Sequence, residues 1–99
     1  MLGKSAPSKF KEDRPFAKPE AAALELLRIY RKFIDECKYG DPFTQVGITN
    51  AEFIYRRGGS VAEYSAGRDY GIAKGWFEIF GGGTRVRILP AGEEALGTI

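Results

Sequence analysis

The chain has 99 residues, 43% of them hydrophobic and 28% charged, which is the make-up of one ordinary globular domain near the lower end of lengths that bury a self-sufficient core. Its 15 basic and 13 acidic groups leave a net charge of +2, so bulk charge by itself does not mark a nucleic-acid binder. With no histidine and a single cysteine, Cys37, an internal disulfide, histidine acid–base chemistry and the commonest zinc ligand are all excluded.

Residues 1–18 mix Gly, Ser, Pro and Lys without periodicity and read as a flexible basic arm ahead of a domain over 19–99. Lys4, Lys9, Lys11, Arg14 and Lys18 could follow phosphates or simply be solvated. Phe10 and Phe16 are costly to leave in water, so part of the arm is expected to fold back on the body or reach a second subunit.

A helix is predicted over residues 19–37. Pro19 suits a first helical position, Glu20 favours the positive helix end, and Ala23, Leu26, Leu27, Tyr30, Phe33, Ile34 and Cys37 recur at helical spacing. This apolar stripe is either domain core or the seam of a homodimer through the first helix. Arg31 with Asp35 and Lys32 with Glu36 are i,i+4 pairs on its wetter side, and Tyr39-Gly40-Asp41-Pro42 stops it. Residues 43–48 could then pad a sheet edge as a short strand.

Two capping-box patterns follow, Thr49-Asn50-Ala51-Glu52 and Ser60-Val61-Ala62-Glu63. Ile48 and Phe53 sit where a hydrophobic staple would close over the first box. Between the boxes, Arg57-Gly58-Gly59 can take the positive φ angles of a tight turn, so the segment reads as a helix-turn-helix. The second helix, residues 61–74, has two possible burial faces: Tyr64, Gly67, Gly71 and Gly75, or Ala62, Ala66, Tyr70 and Ala73. The first choice turns Ala62, Ser65, Ala66 and Asp69 outward, and the second exposes Tyr64, Arg68 and Lys74. Few of these side chains read base edges well.

β-Branched and aromatic residues then flank a glycine turn: Trp76-Phe77-Glu78-Ile79-Phe80, Gly81-Gly82-Gly83-Thr84 and Arg85-Val86-Arg87-Ile88-Leu89. This predicts a hairpin. Pairing Phe80 with Arg85 sets Glu78 opposite Arg87 and Ile79 opposite Val86, with Phe77, Ile79, Val86 and Ile88 on the buried face. Glu93 and Glu94 belong to a short terminal helix.

Catalysis finds little support. Cys37 lies in an apolar stripe with no base to activate it, and the adjacent Glu93 and Glu94 do not converge on a cleft. Gly81-Gly82-Gly83-Thr84 lacks the lysine and following helix of a P-loop. The expectation is a protein that is not an enzyme and uses no metal or cofactor. The longest apolar stretch, 21–34, is broken by Glu25, Arg28 and Arg31, and the N-terminus lacks the apolar core of a signal peptide, so the chain reads as cytoplasmic and not membrane-bound.

The order helix, helix, helix, hairpin resembles the winged helix-turn-helix superfamily. The resemblance rests on the 49–74 helix pair, Gly75-Trp76-Phe77, the Gly81–Thr84 wing tip and the closing Pro90-Ala91-Gly92-Glu93-Glu94. It implies an α+β, mostly helical fold: a three-helix winged helix-turn-helix with a C-terminal β-hairpin wing. It also implies a small DNA-binding protein, a transcriptional regulator, contacting double-stranded DNA through the second helix of the pair and the wing. Matching positions are Ser60, Ser65, Arg68 and Lys74 on that helix, Arg56 and Arg57 before it, and Thr84, Arg85 and Arg87 on the wing. Some members of the superfamily bind only protein, and the near-neutral body keeps a protein–protein interaction module open as the alternative.

Overall fold

The computed structural model describes residues 14–97. Their order is α1 (Pro19–Asp35), β1 (Thr44–Gln45), α2 (Val46–Ala51) running into a π-helical turn (Glu52–Arg56), α3 (Val61–Ala73), β2 (Phe77–Phe80), β3 (Arg85–Ile88) and α4 (Pro90–Gly97). The fold is α+β and mostly helical. Its three strands form an antiparallel sheet in the order β1-β3-β2. No helix among the described residues is long and apolar enough to cross a membrane.

Most of the α1 stripe is domain core, while Phe33 and Cys37 are only half-buried. Ala22, Ala23, Leu26, Leu27, Ile29 and Tyr30 are fully buried, together with Phe53, Phe77 and Val86 from the other elements. Each large apolar side chain removed from water in this way contributes on the order of 1.5–3 kcal/mol. Tyr30 meets Phe77 edge-on with centroids 5.0 Å apart, which joins α1 to the sheet. Helix α1 stops two residues short of the expected Cys37.

Helix α3 buries its glycine side: Tyr64, Gly67 and Gly71 face α1 and the sheet. A Cβ on Gly67 would stand 2.7 Å from the Ala22 Cβ and 3.0 Å from α1 backbone. Glycine here sets the closeness of the helix pair. The first of the two sequence alternatives therefore holds, and Ala62, Ala66 and Asp69 are exposed.

The hairpin has the predicted register, with Phe77↔Ile88, Glu78↔Arg87, Ile79↔Val86 and Phe80↔Arg85. Alternation places Phe77 and Val86 in the core, with Ile79 and Ile88 partly buried against it. The turn needs glycine, because Gly81, Gly82 and Gly83 follow one another at φ 63°, 71° and 87°. Strand β1 adds Thr44↔Val86 and Gln45↔Arg85 on the other edge of β3.

One capping box forms and the other does not. The Ser60 hydroxyl accepts from the Glu63 N–H at 3.1 Å, and the Glu63 carboxylate accepts from the Ser60 N–H at 3.0 Å. Thr49 is instead buried inside α2, where its hydroxyl donates back to the carbonyls of Val46 (3.0 Å) and Gln45 (3.3 Å). The helix begins at Val46, directly off β1, so the expected strand over 43–48 shrinks to two residues. The Ile48–Phe53 staple is absent as well: Phe53 is buried against Phe16 and Tyr64, while Ile48 is exposed.

Candidate functional site

The candidate side chains fall into three groups. The first is at the hairpin. Phe80 and Phe43 meet edge-on at 5.7 Å, and the Arg85 guanidinium lies over both rings, 5.5 Å from Phe43 and 6.0 Å from Phe80. Arg87 stacks closer on Phe80, at 4.2 Å, and bonds Glu78 across the strands at 3.0 Å. Arg85 forms no ion pair among the described residues, so its charge is open to an anion. The Arg87 pair is exposed on both sides, and such pairs hold weakly enough for a phosphate to compete. The Thr84 hydroxyl donates to the Gly81 carbonyl at 2.7 Å and its own carbonyl accepts from Val46, so this residue closes the turn. Sequence reasoning misses Phe43. Nothing local marks it, because its role comes from β1 pairing with β3.

The second group lies on α3. Ser60 serves as the N-cap, and Ser65 is half-buried. Arg68 bonds Asp69 at 3.1 Å and lies 5.7 Å from the Tyr64 ring. Lys74 is exposed and stands over Tyr70 at 5.6 Å, while Tyr70 packs edge-on against Trp76 at 5.5 Å. The outward surface is otherwise small and apolar, with Val61 and Ile72 exposed beside Ala62, Ala66 and Ala73.

The third group flanks the glycine turn, and here neighbours in sequence part company. Arg57 turns inward to bridge Glu25 of α1 and Glu52 of the π turn, the latter at 3.0 Å. Burial disfavours its charge, but the hydrogen bonds to Glu52 and Glu25 outweigh this and hold its pKa above the ordinary value. The i→i+5 bond from the Arg57 N–H to the Glu52 carbonyl is the backbone geometry that delivers it there. Arg57 is thus a structural clamp. Arg56 points the other way and lines a surface groove with residues of α1.

Arg14 joins the turn from the N-terminal side. It donates to both Glu63 carboxylate oxygens and, at 3.3 Å, to the Gly58 carbonyl. Phe16 packs on Phe53 at 5.0 Å, so the end of the arm does fold back on the body. Phe10, Lys4, Lys9 and Lys11 lie outside the described residues. Among the described residues no three His, Cys, Asp or Glu side chains are grouped to hold a metal.

No protein-family model, curated protein or solved structure matches this chain.

Proposed function

We propose that the chain is a winged helix-turn-helix domain that binds double-stranded DNA as a small regulator, with α3 as the groove-facing helix and the β2–β3 hairpin as the wing. The observation that carries the reading is the arrangement α1–β1–α2–α3–β2–β3 with sheet order β1-β3-β2, ending in a glycine hairpin that holds Arg85, without an ion pair among the described residues, on an aromatic base. Arg85 and Arg87 supply phosphate contacts from the wing; Arg68, Lys74 and Ser65 supply contacts from α3. Bound phosphate would exchange with Asp69 and Glu78, whose exposed pairs to Arg68 and Arg87 hold little energy in water.

A second reading, docking of a protein on α3, is favoured by one observation. Val61 (67% exposed) and Ile72 (45%) stand among alanines on the outward face, and the one arginine there is paired with Asp69. That surface suits an apolar partner or thymine methyls better than polar base edges.

Fluorescence anisotropy with a labelled duplex pool, repeated over a salt series, separates the two. DNA binding predicts an affinity that falls steeply with salt, and Arg85→Ala should lower the log–log salt slope by about one. No binding at low salt would reject the DNA reading and leave the apolar α3 surface as the candidate protein site.

A further inference from the structure

A second exposed apolar surface lies away from α3. Ile48, Ala51 and Tyr55 follow at steps of three and four residues through α2 and the π turn, which sets them on one helical face. Thr49 and Phe53 take the opposite face and are buried. Phe33 of α1 stands across from the outer row, and together these side chains floor a groove of about 400 Å³. Tyr55 is 84% exposed and Ile48 51%, so the groove leaves large apolar area in water. No residue of α3 or the hairpin lines it.

Its rim carries open positive charge. Arg56 forms no ion pair among the described residues. Lys32 lies 4.8 Å from the Phe33 ring and holds only a loose, exposed pair with Glu36 at 3.5 Å. The acid in the lining, Glu52, is turned to Arg57, which it shares with Glu25. The groove is therefore apolar below and cationic at its edge.

We infer that this groove docks an amphipathic acidic segment of a partner protein, its apolar side chains against Phe33, Ile48 and Tyr55 and its carboxylates against Arg56 and Lys32. Charge selects this occupant over a second copy of the chain. A two-fold pairing of the groove with itself would bring two cationic rims together, with no free carboxylate in either groove to answer them. The inference stands apart from the α3 and wing contacts proposed for DNA, none of which lines the groove; of the positions matched to DNA contacts only Arg56 does.

The test is to pan a phage library of amphipathic helical peptides, randomised at every position, against the full chain. Enriched peptides are then measured by anisotropy and by amide chemical-shift mapping. Enriched sequences should combine Leu, Ile or Phe with Asp or Glu and perturb amides of residues 48–56. Tyr55→Ser should abolish binding, and Arg56→Glu should weaken it roughly tenfold, the order of a lost charge contact at an interface. Panning on Arg56→Glu should return basic residues in place of acidic ones. Both positions are exposed, and melting curves confirm that the variants stay folded. The inference is overturned by no enrichment over the Tyr55→Ser control, by peptides without acids or indifferent to Arg56→Glu, or by shifts confined to α3 or the hairpin. A dimer in sedimentation that Tyr55→Ser abolishes would assign the groove to a second copy and overturn it too.

Discussion

The Arg14 guanidinium grips both carboxylate oxygens of Glu63, Nε to Oε2 at 2.7 Å and Nη2 to Oε1 at 2.8 Å, and so ties a residue ahead of α1 to the first turn of α3. The same carboxylate completes the Ser60 capping box. The Arg14 hydrogen bond is the largest cause holding the Glu63 pKa down at about 2, against 4.5 ordinarily, with the Ser60 N–H adding to it and burial opposing. A depressed acid stabilises the fold fully above its unfolded pKa, and that contribution is lost as pH falls through the folded value. The window here is from about pH 4.5 down to about 2. Glu63→Gln, which keeps the cap acceptor, should lower stability at pH 7 and flatten the fall in Tm across that window. Arg14→Ala should move the Glu63 titration upward. A carboxyl carbon resonance of Glu63 that titrates near 4.5 in the parent chain would refute the clamp.

How much of this was legible depends on the range of the cause. The hairpin register could be read because strand alternation, the glycine turn and the Glu78–Arg87 pair are all local and agree. The Ser60 cap was legible for the same reason. Thr49 misled because an identical pattern of residue types leaves its hydroxyl free to bond backward to Gln45 and Val46 once β1 runs straight into the helix. The division of labour between Arg56 and Arg57 was invisible: only the fold brings Glu25 within reach of Arg57, and only the π turn sends its neighbour the other way. For α3 the sequence narrowed the burial face to two choices, and close packing on Ala22 selects the glycine side.

Two helical glycines should respond in opposite directions to alanine. Gly67→Ala gains helix propensity of up to about 1 kcal/mol, but its Cβ presses on α1 backbone that cannot turn aside. Overpacking of this kind typically costs about 1–3 kcal/mol, so the variant should be less stable. At Gly47 in α2 an added methyl would meet nothing within 4 Å, and Gly47→Ala should raise stability by a few tenths to about 1 kcal/mol. Urea melts of the two variants check the signs, and equal shifts would contradict the close α1–α3 approach.

Arg57 and Arg85 should separate stability from binding. Arg57→Ala strands the largely buried Glu52 and leaves Glu25 to Arg28 alone, and is expected to cost about 1–3 kcal/mol. Arg57→Lys should rescue only part of this, since a point charge cannot fork to two carboxylates. Arg85→Ala removes an exposed side chain and should leave Tm nearly unchanged while weakening the proposed DNA binding across sequences. Melting curves and anisotropy on the same preparations make the comparison. A large Tm loss from Arg85→Ala, or none from Arg57→Ala, would reverse the roles assigned to them.

Tyr30 offers a test of the core. Its ring is fully buried and packs edge-on against Phe77, yet its hydroxyl has no hydrogen-bond partner among the described protein atoms. Burial, chiefly, with a lesser push from Tyr64, drives its pKa well above the ordinary tyrosine value, so it stays neutral. A buried donor without a partner costs on the order of 1–3 kcal/mol, and Phe keeps the ring contact while removing the donor. Tyr30→Phe should therefore hold or raise the Tm, with a gain of up to about 2 kcal/mol in denaturant melts. Tyr30→Leu should lose the Phe77 ring contact and leave unfilled volume, and is expected to be less stable than the parent by about 1 kcal/mol or more. A fall in stability for Tyr30→Phe would mean that the hydroxyl is bonded inside the core.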